Sequence, residues 1–192
     1  MPLQQRSQLS NRDVNCPLVT GNVGFGKPAT AWKGSLIRVE FREKSLPEDV
    51  SKKITSVVQS RTEDASPIAV FDFTRGAPYR DLQRNLHDLT WTAGKSELSA
   101  PPKQDASGPL YLDGIARLTT KSPASVLVNA CRKTNQFSML VVCRAADPSR
   151  EVKRIFSLAR PNGITDLDIG QNRGDLVFWF RNPISVRKAP LL

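Results

Sequence analysis

QFSMLVVCRA (residues 136–145), RIFSLAR (154–160), DLDIGQ (166–171) and GDLVFWFRNP (174–183) follow one another in the second half of the chain, and their reading decides the fold class. Each run has the length of a strand, and each gap is a turn cluster: ADPSRE, PNGIT and NRG. Short apolar runs separated by such clusters mark a β-meander or a segment of a β-sandwich. In the first run Phe137, Met139, Val141 and Cys143 share one face, and Leu140 and Val142 make the other face apolar too. A strand apolar on both faces is expected to lie centrally and to be covered on both sides. The last run repeats the pattern, with Leu176, Phe178 and Phe180 set against Val177 and Trp179. At about 25 cal/mol per Å² of apolar area, leaving Phe178, Trp179 or Phe180 uncovered forfeits several kcal/mol, comparable with the stability of a small domain.

Outward from this block the same alternation recurs. In GSLIRVEFRE (34–43), Ile37, Val39 and Phe41 alternate with Leu36, Arg38, Glu40 and Arg42, which predicts a strand with one face on a core and a mostly charged face in water. SLPEDVSKKITSVVQS follows, with Ser45 three residues before Glu48 as a capping box and Val50, Ile54, Val57 and Val58 on one side. That spacing predicts a short amphipathic helix over 46–58. AVFDF (69–73), LTW ending at Trp91, LYLDG (110–114) and IARLTT (115–120) read as further strands, and SVLVNACRKTN (125–135) as one helical turn with Val126, Leu127 and Ala130 together. LSAPPKQDASGP (98–109) is rich in Pro, Ser and Gly and reads as an exposed loop. Residues 1–15 are polar and without period, a disordered arm, and 187–192 form a tail.

A chain of 192 residues and 21.3 kDa is long enough for one sandwich with a real core. Its fourteen prolines favour loops over long helices. The net charge of +10 makes polyanionic partners plausible, whether nucleic acid, acidic polysaccharide or an anionic lipid surface. The charge is scattered, however, with nothing longer than pairs such as Lys52-Lys53, Arg132-Lys133 and Arg187-Lys188. A solvated basic surface is therefore expected rather than a nucleic-acid groove. Cys16, Cys131 and Cys143 cannot all pair with one another, and no CxxC or Cys/His cluster accompanies them, so neither a disulfide framework nor a zinc site is expected. No apolar run reaches 18 residues, which excludes a spanning helix, and MPLQQRSQLSNRDVN lacks the apolar centre of a signal peptide.

Two blocks together resemble the concanavalin A-like lectin and glucanase superfamily in its bacterial laminin-G-like form. The first comprises FDFTRG (71–76), LTW, YLDG, the run from LTTKSP to CRAADP, and RIFSLARPNGITDLDIGQNRGDLVFWFRNP, so that 67–186 look like the N-terminal half of such a domain. The second is WKGSLIRVEFREKSLPEDV (32–50), within a segment 16–60 that looks like the C-terminal end of one, because in the family a W-x-G strand and the start of a helix close the domain. The order is thus reversed, and the strands that follow RNPIS in the family do not appear before Leu192. A slice across two tandem domains or a truncated product fits this better than a clean circular permutation. The resemblance implies a jelly-roll β-sandwich, here incomplete, with exposed edge strands open to self-association. It also implies recognition of glycans or of other proteins, outside the cytoplasm.

The glucanases of this superfamily need carboxylates side by side on one strand, as retaining hydrolysis requires an acid and a nucleophile about 5 Å apart. No E-x-D-x-x-E pattern is present; Asp166 and Asp168 are the nearest substitutes, and an outward polar face accounts for them. An enzyme is not expected. Calcium accompanies the sugar sites of related lectins, and Asp166, Asp168, Asn172 and Asp175 offer oxygens at close spacing, although not that of an EF-hand. The single histidine, His87, has no nucleophile placed with it and reads as a surface residue, while GFGKP (24–28) lacks phosphate-loop spacing. For sugar stacking the candidates are Trp179, Trp91 and Tyr111. The expected function is a non-catalytic laminin-G-like binding module, possessing no cofactor beyond the calcium option; the alternative is a basic protein that holds nucleic acid or acidic polysaccharide by surface charge.

Overall fold

The computed structural model describes residues 14–21, 31–43, 67–91, 101–102, 104, 108–146, 152–159 and 165–180. The helix expected over 46–58, the arm before Val14 and the tail 187–192 lie outside the described residues. Within them are strands β1 (Leu18–Gly21), β2 (Lys33–Arg42), β3 (Ala69–Asp72), β4 (Leu89–Trp91), β5 (Leu110–Asp113) and β6 (Arg117–Thr120). The helix α1 (Ser125–Thr134) then precedes β7 (Ser138–Ala145), β8 (Lys153–Ala159), β9 (Thr165–Asn172) and β10 (Asp175–Phe180). They form an all-β sandwich: one antiparallel sheet runs β10-β9-β8-β1-β6-β4, and in the other β2 pairs with β3, β5 and β7. No helix among the described residues is long and apolar enough to cross a membrane.

The second sheet is built on β2. Along one edge β2 meets β7 from Gly34 to Arg42, while its other edge is divided between β5 (at Lys33 to Leu36) and β3 (at Arg38 to Phe41). A register shift between Leu36 and Arg38 makes Ile37 a bulge, and an extra residue in a strand reverses which side chains face in. Leu36, expected on the charged face, is therefore fully buried with Val39 and Phe41 in the core. On the outer side the bulge aligns Arg38, Glu40 and Arg42. Glu40 is only 2% exposed, and its carboxylate accepts from Arg38 Nε at 2.6 Å and Arg42 Nη2 at 2.8 Å.

The core between the sheets gathers Leu36, Val39, Phe41, Phe71, Leu110 and Leu112 from one side and Leu18, Leu89, Leu118, Phe156, Leu158 and Leu167 from the other. Phe73 stands among Phe71, Tyr79 and Phe156, with ring centroids 5.6 to 6.4 Å apart. Trp32 links the layers: its ring rests where a Cβ on Gly34 would lie 2.5 Å from it, and its Nε1 donates to Gln171 Oε1 on β9 at 2.9 Å. The W-x-G spacing thus has a steric reason, since the glycine two residues after the tryptophan makes room for the indole.

Two expectations about burial are corrected. Strand β7, expected to lie centrally and covered on both sides, pairs only with β2 among the described residues and is half-buried along most of its length. Strand β10 likewise pairs only with β9, and Leu176 at its start is 72% exposed. The rings of Phe137, just before β7, and Phe178 on β10 lie 5.9 Å apart and join these two edges across the sandwich. Apolar residues on both faces therefore mark strands that are partly covered twice rather than fully enclosed. The helix is also longer than one turn: α1 spans ten residues, buries Leu127 and Val128, leaves Val126 46% exposed and ends with Asn135 at φ 55. Arg132 and Lys133 in its last turn complement the helix dipole.

The connection from β3 to β4 is held by one carboxylate. Buried Asp81 accepts the backbone N–H groups of Val70, Gln83, Asn85 and Leu86 at 2.8 to 3.0 Å, tying the loop to β3. Asp81→Ala leaves those donors without their acceptor, and a stability loss of about 2–4 kcal/mol is expected in chemical denaturation, given about 1–3 kcal/mol for each buried group left unsatisfied and partial rescue by water. Asp72 caps the turn after β3. Burial pushes its carboxyl upward, but hydrogen bonds from the Thr74 side chain and backbone and from Arg75 outweigh this, so its pKa lies below the ordinary value of 3.8. A carboxyl lowered by folding stabilises the protein above the unfolded value, and that contribution is lost as the pH falls through the folded one. The melting-temperature gap between the native protein and Asp72→Asn should accordingly be widest near neutral pH and close at pH below about 4.

Candidate functional site

The three aromatic candidates do not meet. Trp179 is on β10 and Trp91 on β4, the two ends of the six-stranded sheet. Five strand spacings separate them, about 24 Å at about 4.8 Å each. Tyr111 is on β5 in the other sheet. Trp91 and Tyr111 are 37% and 39% exposed, whereas Trp179 is half-buried.

The position of Trp179 follows from a hairpin. Asn172 pairs with Asp175 across a two-residue turn, Arg173-Gly174, with Arg173 in the left-handed region at φ 57. Counting back from this turn sets Val177 opposite Gly170 and Trp179 opposite Asp168. Phe178 faces the core, and so Trp179 faces outward. Its indole leans over Gly170, where an added Cβ would come within 2.9 Å of Cζ3, and its N–H has no protein acceptor among the described residues. Tryptophan N–H groups ordinarily find a partner when they are buried. Here the ring approaches the Gly170 backbone while its polar edge meets no acceptor among the described residues.

Beside the ring is a polar cluster. Across the sheet, Trp179, Asp168, Ser157, Val19, Thr119 and Thr90 form one transverse row on the outer face. Asp168 is 5% exposed; it accepts a short hydrogen bond from the Ser157 hydroxyl, one from Thr165 Oγ1 at 2.5 Å, and an ion pair from Arg154 Nε at 3.4 Å. The Arg154 side chain is 33% exposed. Its guanidinium offers five N–H donors in a planar fork, so it can serve Asp168 and still present donors outward. An apolar ring face, an indole N–H and a guanidinium edge thus lie together on the outer face of β8, β9 and β10.

Asp166 belongs elsewhere. A second register shift, between Leu158 and Ala159, makes Asp166 the bulged residue, and its Oδ2 accepts from the Sγ of the fully buried Cys16 at 3.3 Å. The expected outward pair of carboxylates is therefore two buried groups with different partners, because the bulge interrupts the alternation that would place them on a common face. Asn172 and exposed Asp175 sit at the far end of the hairpin, four residues and about 13 Å along the strand from Asp168. Calcium ligands must all lie 2.3–2.6 Å from the ion, and the structure does not bring these four side chains around one point. Among the described residues no group of three His, Cys, Asp or Glu side chains is placed to hold a metal. His87 is exposed, as expected. None of the three cysteines is in a disulfide; burial pushes the Cys143 thiol up and, with Glu43 nearby, raises Cys131 to about 11, which makes both poor nucleophiles at neutral pH.

Sequence reasoning named Trp179 and Asp168 separately and passed over Gly170, Ser157 and Arg154. The NRG turn was the available signal, as a two-residue hairpin fixes the register and with it the Trp179/Asp168 pair. No protein-family model, curated protein or solved structure matches the chain. The indole's seat provides a direct check. Gly170→Ala would bring a methyl to 2.5 Å from the Lys153 carbonyl oxygen and 2.9 Å from Trp179. A loss of about 1–3 kcal/mol in denaturant unfolding is expected from this overpacking, with increased solvent quenching of Trp179 fluorescence.

Proposed function

We propose that the chain is a non-catalytic glycan-binding β-sandwich of the bacterial laminin-G-like type, with Trp179 as its sugar platform. The observation that carries the reading is the outward indole whose Cζ3 closes over Gly170 and whose N–H has no acceptor among the described residues, on the same outer face as the Arg154 guanidinium. A pyranose ring has one apolar C–H face and a rim of hydroxyls. The first matches an aromatic face, and the second matches fixed donors at its border. The absence of catalysis is supported by the carboxylates themselves. Asp168 is engaged by Ser157, Thr165 and Arg154, and Asp166 by Cys16, so neither is poised as an acid or nucleophile. Strands β7 and β10, each paired with one strand among the described residues, support the further proposal of self-association through sheet edges.

Titration with a panel of neutral oligosaccharides, followed by tryptophan fluorescence and calorimetry, tests the reading. The native chain should bind at least one member. Trp179→Ala should weaken that binding about tenfold or more, since an aromatic contact of about 1.4 kcal/mol corresponds to a factor of ten. Trp91→Ala should leave it unchanged, because Trp91 lies at the opposite edge of the sheet. No binding by the native chain, or equal binding by the Trp179 variant, overturns the assignment.

A further inference from the structure

The cations on the outer face of the β2 sheet fall into two groups. Arg38 and Arg42 are paired with Glu40, and Arg75 with Asp72. Lys33 and Arg144 have no acid within ion-pair distance among the described residues, and both are exposed. These two are neighbours. Tyr111 on β5, Ser35 on β2 and Arg144 on β7 form one transverse row, while Lys33, two residues before Ser35, lies diagonal to both Tyr111 and Arg144.

Ser35 is the floor of this arrangement. It is half-buried and small, and the register sets it between two larger exposed residues, Tyr111 and Arg144, so that the row has the profile of a shallow trough about 10 Å across at two strand spacings. Neither the Ser35 nor the Tyr111 hydroxyl has a protein partner among the described residues. The Lys33 stem is held over Gly114, where an added Cβ would lie 3.0 Å from Cγ and Cε. Asp113, opposite Lys33, turns its Oδ1 to the N–H groups of Ile115 and Ala116 at 2.8 and 3.1 Å. The trough therefore presents two cations and two hydroxyls without a partner among the described residues, and an aromatic face.

We propose that this trough binds one acidic sugar unit, a uronate or sulfated residue of an anionic polysaccharide, independently of the Trp179 platform on the opposite sheet. The anion sits between Lys33 and Arg144, and the apolar face of the ring lies on Tyr111. The number of cations favours a saccharide over nucleic acid. Tight phosphate-backbone binding draws on about 6–10 neutralised charges, and the trough supplies two next to a single aromatic ring.

Calorimetry of the full chain with dextran sulfate, polygalacturonate and neutral dextran tests the proposal. At least one anionic polymer should bind, neutral dextran should not bind a Trp179→Ala chain that lacks the neutral platform, and added salt should weaken the anionic binding. The double variant Lys33→Gln/Arg144→Gln should lose affinity tenfold or more, and Tyr111→Ala several-fold, both with unchanged melting temperature. Lys121→Gln, exposed on the loop before α1, should bind the anionic polymers like the native chain. A loss at Lys121→Gln equal to that at Lys33 or Arg144 would mean generic charge and overturn the site. So would absence of binding to both anionic polymers, or tighter binding to single-stranded DNA with the same response to the variants. Loss of the neutral oligosaccharide site at Trp179 with retention here would separate the failure of that reading from this one.

Discussion

A single strand with three partners is the constraint on which the rest depends. Strand β2 is long enough to accept β7 along its full length and β5 and β3 in succession on its other edge, so every strand of its sheet is held through it. One flat strand would not fit both neighbours and a single core. The bulge at Ile37 resolves this by reversing the side-chain alternation midway, so Leu36 before it and Val39 and Phe41 after it face the same interior. The same reversal gives the outer face its two halves: one around Ser35, where Lys33 and Arg144 have no acidic partner among the described residues, and a closed one in which Glu40 is clasped by Arg38 and Arg42. The clasp is a buried charge network. Its value lies less in net stability than in the cost of removing one member, about 3–5 kcal/mol.

Two tryptophans use one device for opposite ends. Trp32 lies on Gly34 inside the sandwich and gives its N–H to Gln171; Trp179 lies on Gly170 outside and gives its N–H to nothing among the described residues. In each case the missing Cβ lets a large ring approach the backbone. The contrast in the polar edge is what separates a packing residue from a recognition residue here, and it depends on which layer the strand register selects.

Much of the architecture was legible in residue pattern. The runs around Val39, Phe71, Leu112, Leu118, Val141, Phe156, Leu167 and Phe178 all became strands, because period-two alternation and turn clusters are local signals. Strand β1, four residues with no alternation, was not, as LVTG is a strand only by virtue of lying between β6 and β8. The centrality expected of β7 failed because a doubly apolar pattern records contact on both faces and is silent about how many neighbours a strand has. The site was legible in residue type but not in grouping: Trp179, Trp91 and Tyr111 are alike in sequence and were sorted only by sheet order. The carboxylates were misjudged for a related reason, since the bulge at Asp166 leaves no mark in composition.

The pairing of β1 has a temporal side. Its neighbours β6 and β8 lie about 100 and 140 residues further along the chain, and Cys16 meets Asp166 across a separation of 150. During synthesis, at about 5–20 residues per second, an early segment waits for seconds before its partners emerge. Closing loops of that length before any contact rewards them is the step that slows sandwich folding. Strand β1, made before both of its partners, is therefore among the last that can be placed, and the six-stranded sheet remains divided, with β6 and β8 unjoined, until it is seated.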